Sequence, residues 1–195
     1  MMFRDGDVLL TYGKGGFWPP RRWVMWLLYR AIRKYQTEKW TRFRDRWEGV
    51  QRLDAGATHA RVYLHGMWWE VTYPKAKWVT TGSLLLHKKK WKLVRWHQFE
   101  RLDSATMVER AEAIVKSDNE YDVGDLFDTA ISGILGKWKK HFRIFGDRAK
   151  KLFYCSTGAR EVLIAGGATF WQVTVDPAYF ANNPREWRVI RCSRR

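Results

Sequence analysis

One cysteine of this sequence stands where a protein can turn a thiol into a nucleophile. In the segment FYCSTGAREVL, which begins at residue 153, Ala159, Val162 and Leu163 recur at the spacing of one face of a helix. Cys155 would then lie in the first turn of that helix, where free backbone N–H groups and the positive end of the dipole favour thiolate over thiol. The position predicts a nucleophile; the alternative is a cysteine that only fills space in the core.

A base for this thiol is offered by the segment THARVYLHGMWWEVTYP, which predicts a β-hairpin because two β-rich runs flank His65–Gly66. If those two residues form the turn, Arg61 faces Glu70, and His59, Arg61 and Glu70 share one face. Glu70 is then the diagonal neighbour of His59, about 7–8 Å away at the backbone. A carboxylate beside a histidine can fix its tautomer and stabilise the imidazolium. A three-residue loop would give another register, in which His59 is an ordinary strand residue.

The order of these motifs resembles that of the circularly permuted papain-like thiol hydrolases of the NlpC superfamily, in particular the YiiX-like branch. Members carry a GD strand, an (S/T)H strand start, a carboxylate on the next strand, a YD…F element, a YCS helix start and a proline-containing turn. The corresponding segments here are, in order, DGDVLL, THARVYL, WWEVT, EYDVGDLF, FYCSTGAREVL and VDPAYF. They extend from residue 6 to about residue 190. Relatives have a glutamate soon after the CS pair, whereas Thr157 and Gly158 follow Ser156 in this chain.

The resemblance implies a role for each matching residue. Cys155 would be the nucleophile, His59 the general base and Glu70 the third, orienting member. Tyr121, in EYDVGDLF, would support the oxyanion, with a core position as the alternative, and the backbone N–H of Cys155 is expected to be the main donor. No cofactor is expected, and the histidines do not have the spacing of metal ligands.

The fold that the resemblance implies is an α+β, permuted papain-like (NlpC-type) fold, in which an antiparallel sheet packs against the helix of Cys155. A length of 195 residues suits one domain, 1–195. Periodicity predicts further strands in GDVLLTY, KWVTT, GSLLLHK and WKLVRWHQFE, and a helix in SATMVERAEAIVKS with Ser104 as its cap. The Cys155 helix is expected to end near Gly166–Gly167, and VDPAYFANNPREWRVIR to form a turn and a last strand.

A basic, Trp-rich helical insertion is predicted at about residues 19–45. Its candidate residues for binding a substrate or a surface are Trp23, Trp26, Arg30 and Arg33, because tryptophan prefers interfaces and arginine binds anions. The alternative is an amphipathic core helix with a solvated basic face. The formal net charge of +16 favours polyanionic partners, namely nucleic acid, anionic lipid or an anionic cell-wall polymer.

The two cysteines, Cys155 and Cys192, do not make a disulfide framework or a zinc motif, which favours a reducing compartment. A single bridge between them is the alternative. The N-terminal segment MMFRDGDVLLTYGKG lacks the pattern of a signal peptide, and the apolar run WVMWLLY is too short to span a bilayer. We therefore expect synthesis in the cytoplasm, with delivery to the cell envelope or association with a membrane by another route.

Two classes of function follow from these features. The first is a cysteine hydrolase, either an amidase or peptidase or an acyl ester hydrolase or acyltransferase, that forms an acyl-enzyme on cell-wall peptides or lipids, as the resemblance implies. The second is a non-catalytic basic module that binds nucleic acid or an anionic membrane through its cations and tryptophans. The sequence has no named nucleic-acid reader motif.

Overall fold

The structure, a computed structural model, has an α+β architecture built on an antiparallel sheet. It describes residues 2–12, 30, 33–34, 36–37, 40–41, 54, 56–72, 75–84, 90–117, 155–171 and 175–193. The predicted α+β class and the antiparallel sheet are confirmed for these residues.

Six strands and three α-helices have defined bounds among the described residues. The strands are β1 (Val8–Tyr12), β2 (His59–Leu64), β3 (Met67–Val71), β4 (Ala76–Val79), β5 (Lys90–Trp96) and β6 (Trp187–Cys192). The helices are α1 (Ser104–Lys116), α2 (Cys155–Ala165) and α3 (Pro177–Asn182). Short 3-10 turns occupy Gly82–Leu84 and Phe99–Arg101. The strand order is β4-β3-β2-β1-β5-β6, and every neighbouring pair is antiparallel.

The turn between β2 and β3 sets the register of the hairpin. His65 and Gly66 have φ angles of 46° and 86°, as a two-residue turn that matches the twist of its strands requires. The backbone N–H of His65 donates to Asp5 Oδ1 at 2.8 Å, which holds a non-glycine residue in this conformation. Leu64 therefore pairs with Met67, and the two-residue turn predicted from the sequence is confirmed.

The two faces of the sheet bury different sets of side chains. We call the face covered by the three helices the helix face. Its strand residues include Val8, Leu10, Ala60, Val62, Trp69 and Val71. The opposite face carries a smaller apolar cluster of Leu9, Trp68, Leu84 and Leu93. Because side chains alternate along a strand, His59, Arg61 and Glu70 belong to the opposite face together with Trp68.

Helix α2 packs on β2 and β3 through its buried residues Ala159, Val162 and Leu163, as its periodicity predicts. Gly158 allows a close approach, because a Cβ at this position would lie 2.4 Å from Val71 Cγ2 and 3.0 Å from the Trp69 ring. The helix ends where the sequence predicts, with Gly167 at a φ of 95° and the Ala168 N–H bonded to the carbonyl of Leu163.

Three expectations about individual elements were wrong. Asp103, not Ser104, caps α1, since its carboxylate accepts the N–H groups of Ala105 and Thr106. The start of GSLLLHK forms the 3-10 turn Gly82–Leu84, because its N–H groups bond back to the carbonyls of residues 80 and 81; residues 85–89 lie outside the described residues.

The segment after Val175, where a turn was expected, forms α3 instead. Asp176 caps this helix and Pro177 lies in its first turn, before β6 begins at Trp187. A proline at the first helical position loses no hydrogen bond, so the same residue that suggested a turn also starts a helix.

The basic segment is helical at each position that the structure describes between residues 30 and 41. Gln36 and Trp40 are buried, whereas Arg30, Arg33 and Lys34 are exposed. This part of the segment therefore buries Gln36 and Trp40 in the core and leaves three cations in solvent. Trp23 and Trp26 lie outside the described residues. Among the described helices, none combines the length and apolar character needed to cross a bilayer.

We predict that Gly158→Ala destabilises the protein. Alanine is the better helix former by about 1 kcal/mol, but its methyl group would overlap a β-branched side chain and an indole ring, and such overpacking costs about 1–3 kcal/mol. Urea unfolding should therefore show a lower midpoint. Gly82→Ala is the matched control, because no atom lies within 4 Å of its new Cβ. A Gly158→Ala midpoint at or above that of the wild type would contradict the close packing of α2.

Candidate active site

Cys155 is the first residue of α2, and its side chain is buried at 5% exposure. The next residue anchors this end of the helix, since the Ser156 hydroxyl donates to the carbonyl of Val175 at 2.7 Å in the interior. Backbone N–H groups in the first turn of a helix have no intrahelical partner, so they can stabilise negative charge at this tip. The fold thus holds the thiol in a fixed position at an electropositive helix end.

His59 lies at the start of β2 and makes two side-chain contacts. Its Nε2 is 2.7 Å from Glu70 Oε2, which leaves Nδ1 for its hydrogen bond with the Cys155 sulfur. As the first residue of its strand, His59 can reach around the end of the sheet to a helix on the other face. The three residues that the sequence singled out for catalysis, Cys155, His59 and Glu70, are therefore in one chain of contacts.

The surroundings of Cys155 stabilise its thiolate. Burial by itself raises the pKa of the thiol, but the charge of His59, its hydrogen bond to the sulfur, and the backbone N–H groups of Ala60 and Ser156 outweigh that effect. The net result is a pKa below the ordinary value of a cysteine. Because the thiolate is the reactive form, this shift makes Cys155 a better nucleophile near neutral pH.

The Ala60 N–H is available because β2 and β3 separate at this end of the hairpin. Their paired residues run from Leu64 and Met67 to Val62 and Trp69. Ala60 is the next position whose N–H would point toward β3, since N–H groups of alternate residues point the same way. This N–H instead faces the sulfur of Cys155, whose helix packs over the place where the strands part.

His59 favours its protonated form for the complementary reason. Burial alone lowers the pKa of the imidazole, but the charge of the Cys155 sulfur and the hydrogen bonds to Cys155 and Glu70 raise it above the ordinary value. The positive charge of Arg61 acts against this rise. Both shifts, that of the thiol and that of the imidazole, stabilise a thiolate–imidazolium pair.

Glu70 is a buried carboxylate surrounded by cations. Burial raises its pKa, but the hydrogen bond and charge of His59, followed by the charges of Arg61 and Lys77, lower it to about 2. Arg61 Nε is 2.5 Å from Oε2, and Lys77 Nζ is 3.6 Å from Oε1. The side chain of Glu70 is only 6% exposed. It therefore remains ionised throughout the neutral range and orients His59 as a fixed acceptor.

The other predicted site residues are exposed on the basic segment or lie outside the described residues. Arg30 and Arg33 are exposed on the basic helical segment. Tyr121, Trp23 and Trp26 lie outside the described residues. The two cysteines are free thiols, Cys155 buried and Cys192 exposed, so the alternative of a bridge between them is wrong.

The structure adds contacts that the sequence did not reveal. Lys77 reaches Glu70 because the two residues pair across β3 and β4. The length of the loop between those strands cannot be read from the sequence, so this contact was not predicted. Trp40 donates its indole N–H to Asp176 Oδ1 at 3.1 Å. Asp176 follows Val175, whose carbonyl anchors Ser156, so the basic segment is tied to the chain that supports the nucleophile's helix.

Metal chemistry has no candidate site among the residues that the structure describes, because no group of three or more His, Cys, Asp or Glu side chains is arranged to hold an ion. The arrangement can instead support nucleophilic catalysis. It offers an activated thiol, a histidine that can accept and return a proton, a carboxylate that orients the histidine, and helix-tip N–H groups that face developing negative charge.

No protein-family model matches this sequence, and no curated protein matches it at a significant level.

We predict that Glu70 contributes stability that depends on pH. Its folded pKa of about 2 lies below the unfolded value of 4.5, so the contribution is fully present above about pH 4.5 and is lost as the pH falls through about 2. The shift corresponds to roughly 3 kcal/mol at neutral pH. Urea unfolding of wild type and Glu70→Gln should therefore differ most at neutral pH, and the difference should shrink on acidification.

The control for this prediction is Glu112→Gln, which removes a half-exposed carboxylate paired only with a surface lysine. It should change the free energy of unfolding by about 0.5 kcal/mol or less at any pH. A Glu70→Gln difference that stays constant from neutral to acidic pH would contradict the buried, ionised state of Glu70.

Proposed function

We propose that the protein is a cysteine hydrolase that cleaves an amide or ester bond through an acyl-enzyme. The observation that carries the proposal is the contact of the Cys155 thiol with His59, which is itself bound to Glu70. Isolated buried cysteines have raised pKa values, whereas this one has a lowered pKa because a base and two backbone N–H groups face it. That combination serves nucleophilic catalysis and brings no evident gain in packing.

The reaction follows from the positions of these groups. The Cys155 thiolate attacks the carbonyl carbon of the substrate and forms a carbon–sulfur bond, while N–H groups at the tip of α2 stabilise the oxyanion. The His59 imidazolium then gives its proton to the leaving amine or alcohol as the carbon–nitrogen or carbon–oxygen bond breaks. His59 next takes a proton from water, which attacks the thioester and releases the acid, and the thiolate–imidazolium pair is restored.

The order of the elements supports the resemblance to the permuted papain-like hydrolases. The strand that carries the base, β2, precedes the helix that carries the thiol, α2, and the carboxylate comes from the strand between them in the chain. The packing of α2 on an antiparallel sheet is consistent with the NlpC-type fold. We propose this fold and the YiiX-like branch on these grounds together with the sequence motifs.

The basic surface supports an anionic environment for the substrate. Arg30, Arg33 and Lys34 are exposed on a helical segment that is anchored in the core through Trp40. Clustered cations concentrate a protein on anionic membranes or wall polymers, with an effect that salt screens. We therefore propose cell-wall peptides or lipids as the substrate class, with access to the cell envelope or a membrane surface.

We predict that Cys155 reacts with iodoacetamide at about pH 6, where an ordinary thiol is almost fully protonated. The Cys192→Ser background is needed, because Cys192 is exposed and would react as well. Mass spectrometry should show fast single alkylation, slowed about tenfold or more in His59→Ala, which removes the cation that lowers the pKa of the thiol.

The same experiment separates the two classes of function. Slow alkylation that is insensitive to His59→Ala would contradict the hydrolase and favour the non-catalytic binding module. If alkylation behaves as predicted, peptidoglycan fragments and phospholipid vesicles should be screened for hydrolysis, with Cys155→Ala as the inactive control.

We also predict that the exposed cations of the basic segment direct the protein to anionic surfaces. Arg33→Gln combined with Lys34→Gln should weaken cosedimentation with phosphatidylglycerol vesicles and reduce its dependence on salt, because two charges are lost from one surface. Arg101→Gln with Lys116→Gln removes the same charge from exposed positions near α1 and is the control. Equal weakening by both pairs would show that net charge, and not this segment, determines binding.

A further inference from the structure

Arg61 lies largely out of solvent beside the three candidate catalytic residues. Its side chain is 11% exposed and lies on the same face of the hairpin as His59 and Glu70. Its guanidinium has two partners on two different strands. Nη1 donates to Thr11 Oγ1 on β1 at 3.1 Å, and Nε lies 2.5 Å from Glu70 Oε2 on β3.

The oxygen that Arg61 approaches is the one that binds His59. Glu70 Oε2 is 2.7 Å from His59 Nε2 and 2.5 Å from Arg61 Nε, whereas Lys77 approaches the other oxygen, Oε1, at 3.6 Å. The Arg61 Nε–H has no hydrogen-bond geometry to a described acceptor, so this contact is an ion pair. Arg61 therefore holds the carboxylate by charge and is itself held by Thr11.

A guanidinium at this place has two opposite effects on a thiolate–imidazolium pair. It stabilises the ionised carboxylate that orients the imidazole, and it repels the positive charge that the imidazole acquires. An ordinary surface ion pair contributes little to stability, but this pair is largely removed from solvent, where charges act strongly on each other.

We propose that Arg61 is a positioning residue that clamps the Glu70 carboxylate against His59 and limits how strongly His59 retains its proton. This inference rests on the proposed function, since it gives Arg61 a role in the proton transfers of that reaction. In this role Arg61 would help His59 to meet two opposing requirements. The histidine must be charged to stabilise the thiolate, yet it must release its proton to the leaving group.

Titratable or charged side chains from four described elements act on His59. Cys155 approaches from α2, Glu70 from β3 and Arg61 from β2 itself, while Lys77 on β4 acts through Glu70. Cys155 and Glu70 raise the pKa of His59, and Arg61 lowers it. The neighbouring residue on β1, Thr11, carries no charge. Removing Arg61 and removing the Glu70 charge should therefore shift the titration of His59 in opposite directions.

The test is an NMR titration of protein with ¹³C-labelled histidine rings, with the His59 signal assigned from its loss in His59→Gln. Arg61→Met keeps the length of the side chain but removes its charge, so the His59 midpoint should move to higher pH. Glu70→Gln should move it to lower pH. Arg61→Lys retains the charge and should restore a midpoint near that of the wild type. An Arg61→Met midpoint that is unchanged or lower would overturn the proposal.

A second variant tests the clamp without altering any charge. Thr11→Val keeps the branched shape of the side chain but removes the acceptor of Arg61 Nη1, so Arg61 should hold Glu70 less closely. Because Glu70 raises the pKa of His59, a loosened carboxylate should move the His59 midpoint to lower pH, opposite to Arg61→Met. An unchanged midpoint would show that Thr11 does not position Arg61 and would overturn the clamp. This variant keeps the test decisive if Arg61→Met does not fold, which circular dichroism would reveal.

The outcome is independent of turnover. The midpoints report the charges around His59 whether or not a substrate is hydrolysed, and iodoacetamide reports the nucleophile separately. If Cys155 alkylates as predicted but the Arg61 variants leave the titration unchanged, the proposed hydrolase stands and the role of Arg61 falls. If Cys155 is inert while the midpoints move as predicted, the charge balance stands and the hydrolase falls.

Discussion

The two-residue turn at His65–Gly66 is the constraint on which the candidate site depends. Both residues adopt positive φ angles, so β2 and β3 leave the turn with Leu64 opposite Met67. A shift of one residue would send every following side chain to the other face of the sheet. His59 would then lose Glu70, and the thiol of α2 would meet a histidine without its carboxylate.

The groups of the site come from both faces of the sheet. The nucleophile belongs to a helix on one face, and the acidic and basic groups that control the histidine belong to the other face. His59 connects them because it stands at the end of its strand, where the sheet no longer separates the two faces. The close approach of α2 that Gly158 permits helps to bring the thiol to this end of the sheet.

Charge placement inside the protein sets the protonation states of the site. Glu70 is buried with Arg61 and Lys77 nearby, and removing the carboxylate from water costs free energy that its attraction to His59 and to these cations outweighs. An apolar pair of similar volume would pack at least as well. The arrangement instead creates a carboxylate with a pKa of about 2 and, next to it, a histidine with a raised pKa. Such perturbed neighbours cluster at functional sites, because catalysis needs defined protonation states.

The sequence by itself determined the features that are local. The glycine-containing turn and the alternation of the strands predicted that His59, Arg61 and Glu70 share a face, and helical periodicity predicted that Cys155 begins α2. The cap of α1 is also a local feature: Asp103 lies one position before Ser104, and both residue types are favoured at a helix start.

Only the tertiary structure decided which of these local units meet. The contact of Cys155 with His59, the free Ala60 N–H that faces the sulfur, and the approach of Lys77 to Glu70 each join segments whose relative placement is set by packing. Periodicity reports which side of an element is buried, but it does not report against what. The residue types of the candidate site could therefore be read from the sequence, whereas the end of the β2–β3 pairing at Val62 and Trp69, which leaves the Ala60 N–H to the sulfur, was visible only in the folded chain.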